Sequence, residues 1–281
     1  MEPIGRIHRD LARDIVFAIE ANMFRLYETL GQIPNSIVDS GPDMLRVKTG
    51  LPHEFLNAIF RARITEQRPE AAIRSALEIF RSDRTPVMWW VGPSTEPQHL
   101  GKFLENSGLA HAGDLSGMAI DLESLQVAPA IPRELSVEPV RDGSTLQTWL
   151  QSLAIGYEIP EAAISALFDF LSGFGFGSRS PFRHYLGSWK GHPVATSTLF
   201  FGAGVAGIYI TVIPEYRRQG IGVAMTLVPL RAARAAGYRV AVTHVPGYRV
   251  GLHRKLGFKP HCTLSTYVPR DLARRVNRRA A

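Results

Sequence analysis

The chain is poor in cysteine, with one, Cys262, in 281 residues. A single thiol closes no intramolecular disulfide, so stability must rest on a core, and the sequence reads as that of a protein from a reducing compartment. No uninterrupted apolar run reaches the ~18 to 20 residues that cross a bilayer. The first residues, MEPIGRIHRDLARD, carry charges where a secretory leader needs an apolar stretch. A cytoplasmic location without membrane attachment is therefore expected, and no residue spacing calls for a metal. No G-x-G-x-x-G follows the β-branched run at 208–213 and no G-x-x-x-x-G-K-[ST] occurs, so neither the dinucleotide fingerprint nor the Walker loop is met there.

Hydrophobic residues make up 45% of the chain and charged ones 20%, the composition of a soluble globular protein with a large core. The length exceeds one ordinary domain and predicts two lobes, 1–125 and 135–281, joined by a proline-bearing linker at 126–134. The formal net charge is +7. Much of the excess lies in Arg270, Arg274, Arg275, Arg278 and Arg279, without aromatic interleaving or a recognition motif. A solvated tail is the reading, and nucleic acid is not an expected partner.

The most informative stretch is GIYITVIPEYRRQGIGVAMTLVPLRAARAAG, from Gly207 to Gly237. Ile208 to Ile213 are all β-branched or aromatic and predict a central strand. Pro214, which has no N–H for a ladder, ends it. Gly220 and Gly222 allow a sharp turn, and apolar residues at three and four spacing then predict a helix from Gly222 to Ala236, stopped by Gly237. The free N–H groups of that helix start, its dipole, Arg217 and Arg218 together favour an anion, a phosphate above all. Pro229 lies inside the helix and removes one backbone bond, which predicts a kink.

Preceded by Val212-x-Pro214 and followed by Leu252-His253-Arg254-Lys255-Leu256-Gly257-Phe258, the loop Arg217-x-x-Gly220-x-Gly222 resembles the pyrophosphate loop of the GNAT superfamily of acyl-CoA-dependent N-acyltransferases. The resemblance implies an α/β fold of two GNAT-like lobes, each a mixed, mostly antiparallel sheet flanked by helices. It implies acetyl-CoA as cosubstrate, its pyrophosphate held by Arg217, Arg218, Gln219, Gly220, Ile221 and Gly222, and its pantetheine arm paired with backbone near Ile210 and Val212. Transfer to a small-molecule or peptide amine by direct attack in a ternary complex follows from it, and association into a homo-oligomer is compatible with it.

The first lobe has the same element order: a helix over 10–30, strands at 36–39, 44–48 and 54–61, a helix bearing Ala72, Ile73, Leu77 and Phe80, a strand at 86–91, a helix over 97–107 and a strand at 117–122. Where the phosphate loop would stand it has TEQRPEA, without glycine and with Glu66 and Glu70 opposing an anion. The first lobe therefore reads as structural. Trp89 and Trp90 point to opposite faces of one strand and read as core or lobe interface.

In the second lobe a strand is expected at 135–140, a serine-capped helix at 144–153, a helix at 160–171, strands at 183–189, 194–201 and 238–244, a helix at 248–256 and strands from 262 to 268. Many members of the resembled family have a tyrosine where this chain has His253, and their frequent asparagine is absent from the stretch His244-Val245-Pro246-Gly247. An imidazolium of ordinary pKa ~6.5 suits protonation of a departing thiolate of ~8.5. His253 is thus a candidate acid and His244 a candidate base. A histidine exposed on a helix, or bonded at a strand end, is the plain alternative for each. The missing tyrosine and asparagine also leave open a coenzyme A-binding sensor without turnover.

Overall fold

A computed structural model of the protein describes residues 10–125, 131–273 and 276. The linker expected at 126–134 lies outside the described residues from 126 to 130, as do Arg274, Arg275, Arg278 and Arg279 of the basic tail.

The first half consists of α1 (Asp10–Leu30), β1 (Ile37–Ser40), β2 (Leu45–Lys48), β3 (Asn57–Phe60), α2 (Pro69–Arg81), β4 (Met88–Val91), α3 (Leu100–Asn106) and β5 (Leu109–Asp121). The second consists of β6 (Leu135–Pro139), α4 (Gly143–Tyr157), α5 (Glu161–Gly173), β7 (Phe182–Trp189), β8 (His192–Gly202), β9 (Val205–Val212), α6 (Ile221–Ala235), β10 (Val240–Pro246), α7 (Gly247–Lys255) and β11 (Lys259–Pro269).

Local chemistry explains most boundaries. Helix α4 is started by Asp142, whose carboxylate accepts the Thr145 N–H while Thr145 reaches back, a reciprocal capping box that replaces the expected serine cap. Pro229 is buried within α6, and the helix runs through it. Gly202-x-Gly204-x-x-Gly207 has dinucleotide spacing, but it closes the hairpin between β8 and β9 and opens no helix.

Instead of one sheet per lobe, the strands among the described residues form a single 11-stranded sheet in the order β1-β2-β3-β4-β11-β5-β10-β9-β8-β7-β6. Each half contains one parallel pair, β3 with β4 and β9 with β10, bridged by the crossover helices α2 and α6. The other pairings are antiparallel. The last strands of the halves are exchanged: β11 inserts beside β4, and β5 lies between β11 and β10. The strand expected at 117–122 is accordingly longer, because its leading residues pair along β11. At Gly117 of β5 a Cβ would collide with the Cys262 sulfur of β11.

One apolar cluster packs α6 on β8, β9 and β10 through Leu199, Ile208, Val212, Ala224 and Leu227. A second seats α1 on the middle of the sheet through Met23, Tyr27, Phe60, Trp90 and Leu264, and Trp89 faces away into the cluster under α2 and α3. Both tryptophans are buried.

Candidate active site

The site starts from the way β9 and β10 part. They pair only at Ala206 with Ala241 and Gly207 with Val242. Beyond that point the Ile208, Ile210 and Val212 carbonyls face the gap and receive side chains instead of a strand. Thr243 Oγ1 donates to Ile208 at 2.8 Å, an Arg249 guanidinium nitrogen to Ile210 at 3.1 Å, and Arg217 Nε to Val212 at 3.3 Å. A buried carbonyl left unpaired is costly, so the arginines satisfy groups that a ligand amide also fits.

The loop after β9 makes one turn at Pro214–Tyr216 and then climbs into α6. Arg218 has φ 64° and Gly220 φ 80°, two left-handed residues that curl the backbone. Among the described residues, the N–H groups of residues 218 to 222 donate to no backbone or side-chain acceptor. With the positive end of the α6 dipole and Arg217 and Arg218 alongside, this loop suits a pyrophosphate. Glycine at 220 is favoured by its left-handed angle, whereas a Cβ there would make only ordinary contact with Pro132 at 3.4 Å.

The first half begins with the same opening and closes it. Strands β3 and β4 pair only at Ala58 with Met88 and Ile59 with Trp89. Beyond them Glu96 N–H donates to the Ala62 carbonyl and Ile64 N–H to the Glu96 carbonyl, both at 2.8 Å, so backbone zips the gap. Glu66, exposed before α2, lies 3.4 Å from His99.

A cavity of about 350 Å³ leads from the open gap to the space beneath α1. Ile210, Arg217, His244 and His253 line it, together with Tyr157, Tyr209, Thr211, Thr243 and Arg249. Val212 is buried against α6, and Arg218, Gln219 and Gly220 on the loop and Ile221 and Gly222 at the start of α6 lie outside the lining. Gly156 touches β9 so closely that a Cβ would overlap the Thr211 methyl. Arg249, Thr243 and the contribution of the first half had no signal in sequence spacing, because each depends on where distant strands meet.

His253 is buried, 3% exposed, and not a surface residue of α7. Its Nδ1 lies 3.0 Å from the Arg249 carbonyl, and its Nε2 is buried without a partner. Burial lowers its pKa, partly offset by that hydrogen bond. His244 is lowered to about 4 by burial, against a hydrogen bond to the Ile19 backbone, and its Nε2 is likewise unpartnered. Both imidazoles are neutral at pH 7. Cys262 does not line the cavity, and burial raises its thiol to about 11.

No family sequence profile matches the chain, and no curated protein matches it. Solved structures do. A GCN5-related N-acetyltransferase from Kribbella flavida superposes with a TM-score of 0.64 at 17% identity, covering 89% of this chain and 95% of that one. The chain has the GNAT fold. A GCN5-related N-acetyltransferase from Sphaerobacter thermophilus gives 0.60 at 16% identity over 92% and 90% of the two chains. A tandem GNAT protein from the clavulanic acid biosynthesis pathway gives 0.53 at 15% identity over 92% and 93%. Within the GNAT fold, the parting of β9 from β10 and the loop into α6 are the features that the geometry above makes available to a ligand. Among the described residues no helix is long and apolar enough to cross a membrane, and no cluster of three or more His, Cys, Asp or Glu has metal-site geometry.

Proposed function

We propose that the protein is an acetyl-CoA-dependent N-acetyltransferase whose donor site lies in residues 135–281, with 1–125 carrying no second donor site. The observation that carries this is the contrast between the two openings. One is held by movable side chains beside a loop of free N–H groups, and the other is sealed by backbone hydrogen bonds.

In this reading the N–H groups of residues 218 to 222, with Arg217 and Arg218, hold the pyrophosphate. Arg249 and Arg217 release the Ile210 and Val212 carbonyls to amides of the pantetheine arm and turn toward its phosphates. The thioester then rests between β9 and β10, near His244 and His253. The amine nitrogen attacks the thioester carbonyl carbon, the C–N bond forms, the C–S bond breaks, and the proton shed by nitrogen ends on the thiolate. Holding both reactants in one cavity supplies much of the acceleration. His244, with a conjugate acid near 4, orients the amine through its Nε2 lone pair and is too weak a base to keep the proton. His253 accepts a hydrogen bond instead of donating one. Cys262, a half-buried thiol outside the cavity, takes no part.

A second reading, a coenzyme A-binding sensor, is favoured by that same neutral His253, since no strong proton donor is fixed at its position. Thiol release from acetyl-CoA over a panel of amines separates the two. Amine-dependent release supports the transferase, whereas tight acetyl-CoA binding with no release on any amine supports the sensor.

A further inference from the structure

Part of the cavity is not needed by the donor. Beneath α1 it is lined by Met23, Tyr27, Met88, Trp90, Ala112 and Val276, all but the last from the first half of the chain. Trp90 is 6% exposed and its indole N–H has no hydrogen-bond partner, although native interiors normally satisfy such a donor. The whole cavity, donor gap included, measures about 350 Å³. A cavity of about 150 Å³ already admits a benzene ring.

The charges on this cavity are sorted. Arg217 and Arg249 stand at the donor end, where β9 and β10 part, and repel an ammonium. Asp114, an exposed residue in the middle of β5, also lines the cavity, with its carboxylate accepting from Ser265 and facing His111. A cation is drawn to the first-half end, and an anionic thioester donor to the opposite one. The carboxylate at the first-half end favours an ammonium, and the apolar walls favour the body that carries it.

We propose that the first half builds the acceptor pocket, and that the acceptor is a primary amine on an apolar, ring-sized body lodged between α1 and Trp90. This rests on the donor reading for the position of the thioester. Apolar ligands of this kind gain by burial of their rings against aromatic and aliphatic side chains.

The experiment is a calorimetric titration of 2-phenylethylamine and of ethylamine into the protein, with and without saturating coenzyme A. The two carry the same amino group and differ in the ring. Phenylethylamine is expected to bind at least tenfold more tightly than ethylamine. Ala112→Leu, which fills the pocket, and Trp90→Ala, which removes its wall, are each expected to erase that preference and leave acetyl-CoA affinity within about twofold, roughly 0.4 kcal/mol. Thermal unfolding checks that each variant is folded, and Trp90→Phe keeps the test valid if Trp90→Ala is not. Equal binding of the two amines, or a preference that survives all the variants, overturns the proposal. A preference for hexanoyl-CoA over acetyl-CoA that Ala112→Leu abolishes would give the pocket to an acyl chain and also overturn it. Failure of the donor reading registers separately, as loss of coenzyme A binding in the parent.

Discussion

His253 Nδ1 and the Arg249 carbonyl oxygen, one helical turn apart on α7, lie 3.0 Å from each other. A carbonyl only accepts, so Nδ1 carries the hydrogen, and Nε2, buried without a partner, is left with a lone pair. The sequence alone suggested an acid here, and the bond together with burial makes the residue an acceptor. His253→Ala should lower kcat by about 10- to 100-fold, less than the roughly 10²- to 10⁴-fold of a group that itself transfers the proton. His253→Gln, whose amide oxygen also accepts, should recover part of the loss. Acetyl-CoA affinity should move little in either. Steady-state thiol release checks this, and an unchanged kcat in His253→Ala removes the residue from the account.

Arg217 donates to the Val212 carbonyl and stands beside the loop proposed to hold the pyrophosphate. Arg217→Ala should weaken acetyl-CoA binding by about tenfold or more, ~1.4 kcal/mol per factor of ten. The loss should shrink as salt is added, because part of it is screened charge. Titrations at two ionic strengths measure both.

Acid should weaken the fold through two buried histidines. Burial lowers His184 to about 3 and His244 to about 4. Below the ordinary value of ~6.5 the unfolded chain binds protons that the folded chain refuses, so stability falls as pH drops from there toward 4. At about 1.4 kcal/mol per unit, the combined loss is on the order of several kcal/mol. His184→Phe should flatten the dependence, since His184 packs on Trp149 and Phe182 and its Nδ1 reaches only Thr198. Melting temperatures from pH 7 to 4.5 test this, and a variant that tracks the parent contradicts it.

The exchange of β5 and β11 makes each half depend on the other. Residues 131–281 alone would lose β5, which pairs with β10 from Asp121–Val240 to Leu115–Pro246. Such a fragment should lack cooperative unfolding, and mixing it with residues 1–130 should restore it. A fragment that melts cooperatively alone would show that β5 is dispensable.

The strand, loop and helix around Gly220 were legible because their signals are local: a β-branched run, a proline stop, two glycines and a period of three to four. The observed β9 ends at Val212, and α6 begins at Ile221. The single sheet was not legible, because nothing within β11 says that it will pair with β4 and β5 instead of closing its own half. The burial of His253 was hidden for a similar reason. The last turn of α7 is rich in basic residues, and although Phe258, which packs on the histidine, is close in sequence, the cavity wall around it comes from distant strands. Arg249 and Trp90 entered the site by tertiary placement alone.

The central claim is that one donor binds per chain, in the opening of the second half. Calorimetric titration of acetyl-CoA into the parent, Gly220→Val and Glu66→Val tests it most directly. Valine at Gly220 must take a φ of 80° that β-branched residues resist, at the N-terminus of α6. The account predicts one site in the parent, a loss of affinity of at least about a hundredfold, ~2.7 kcal/mol, in Gly220→Val, and no change in Glu66→Val. Two equivalent sites, or parental affinity in a folded Gly220→Val, would contradict it.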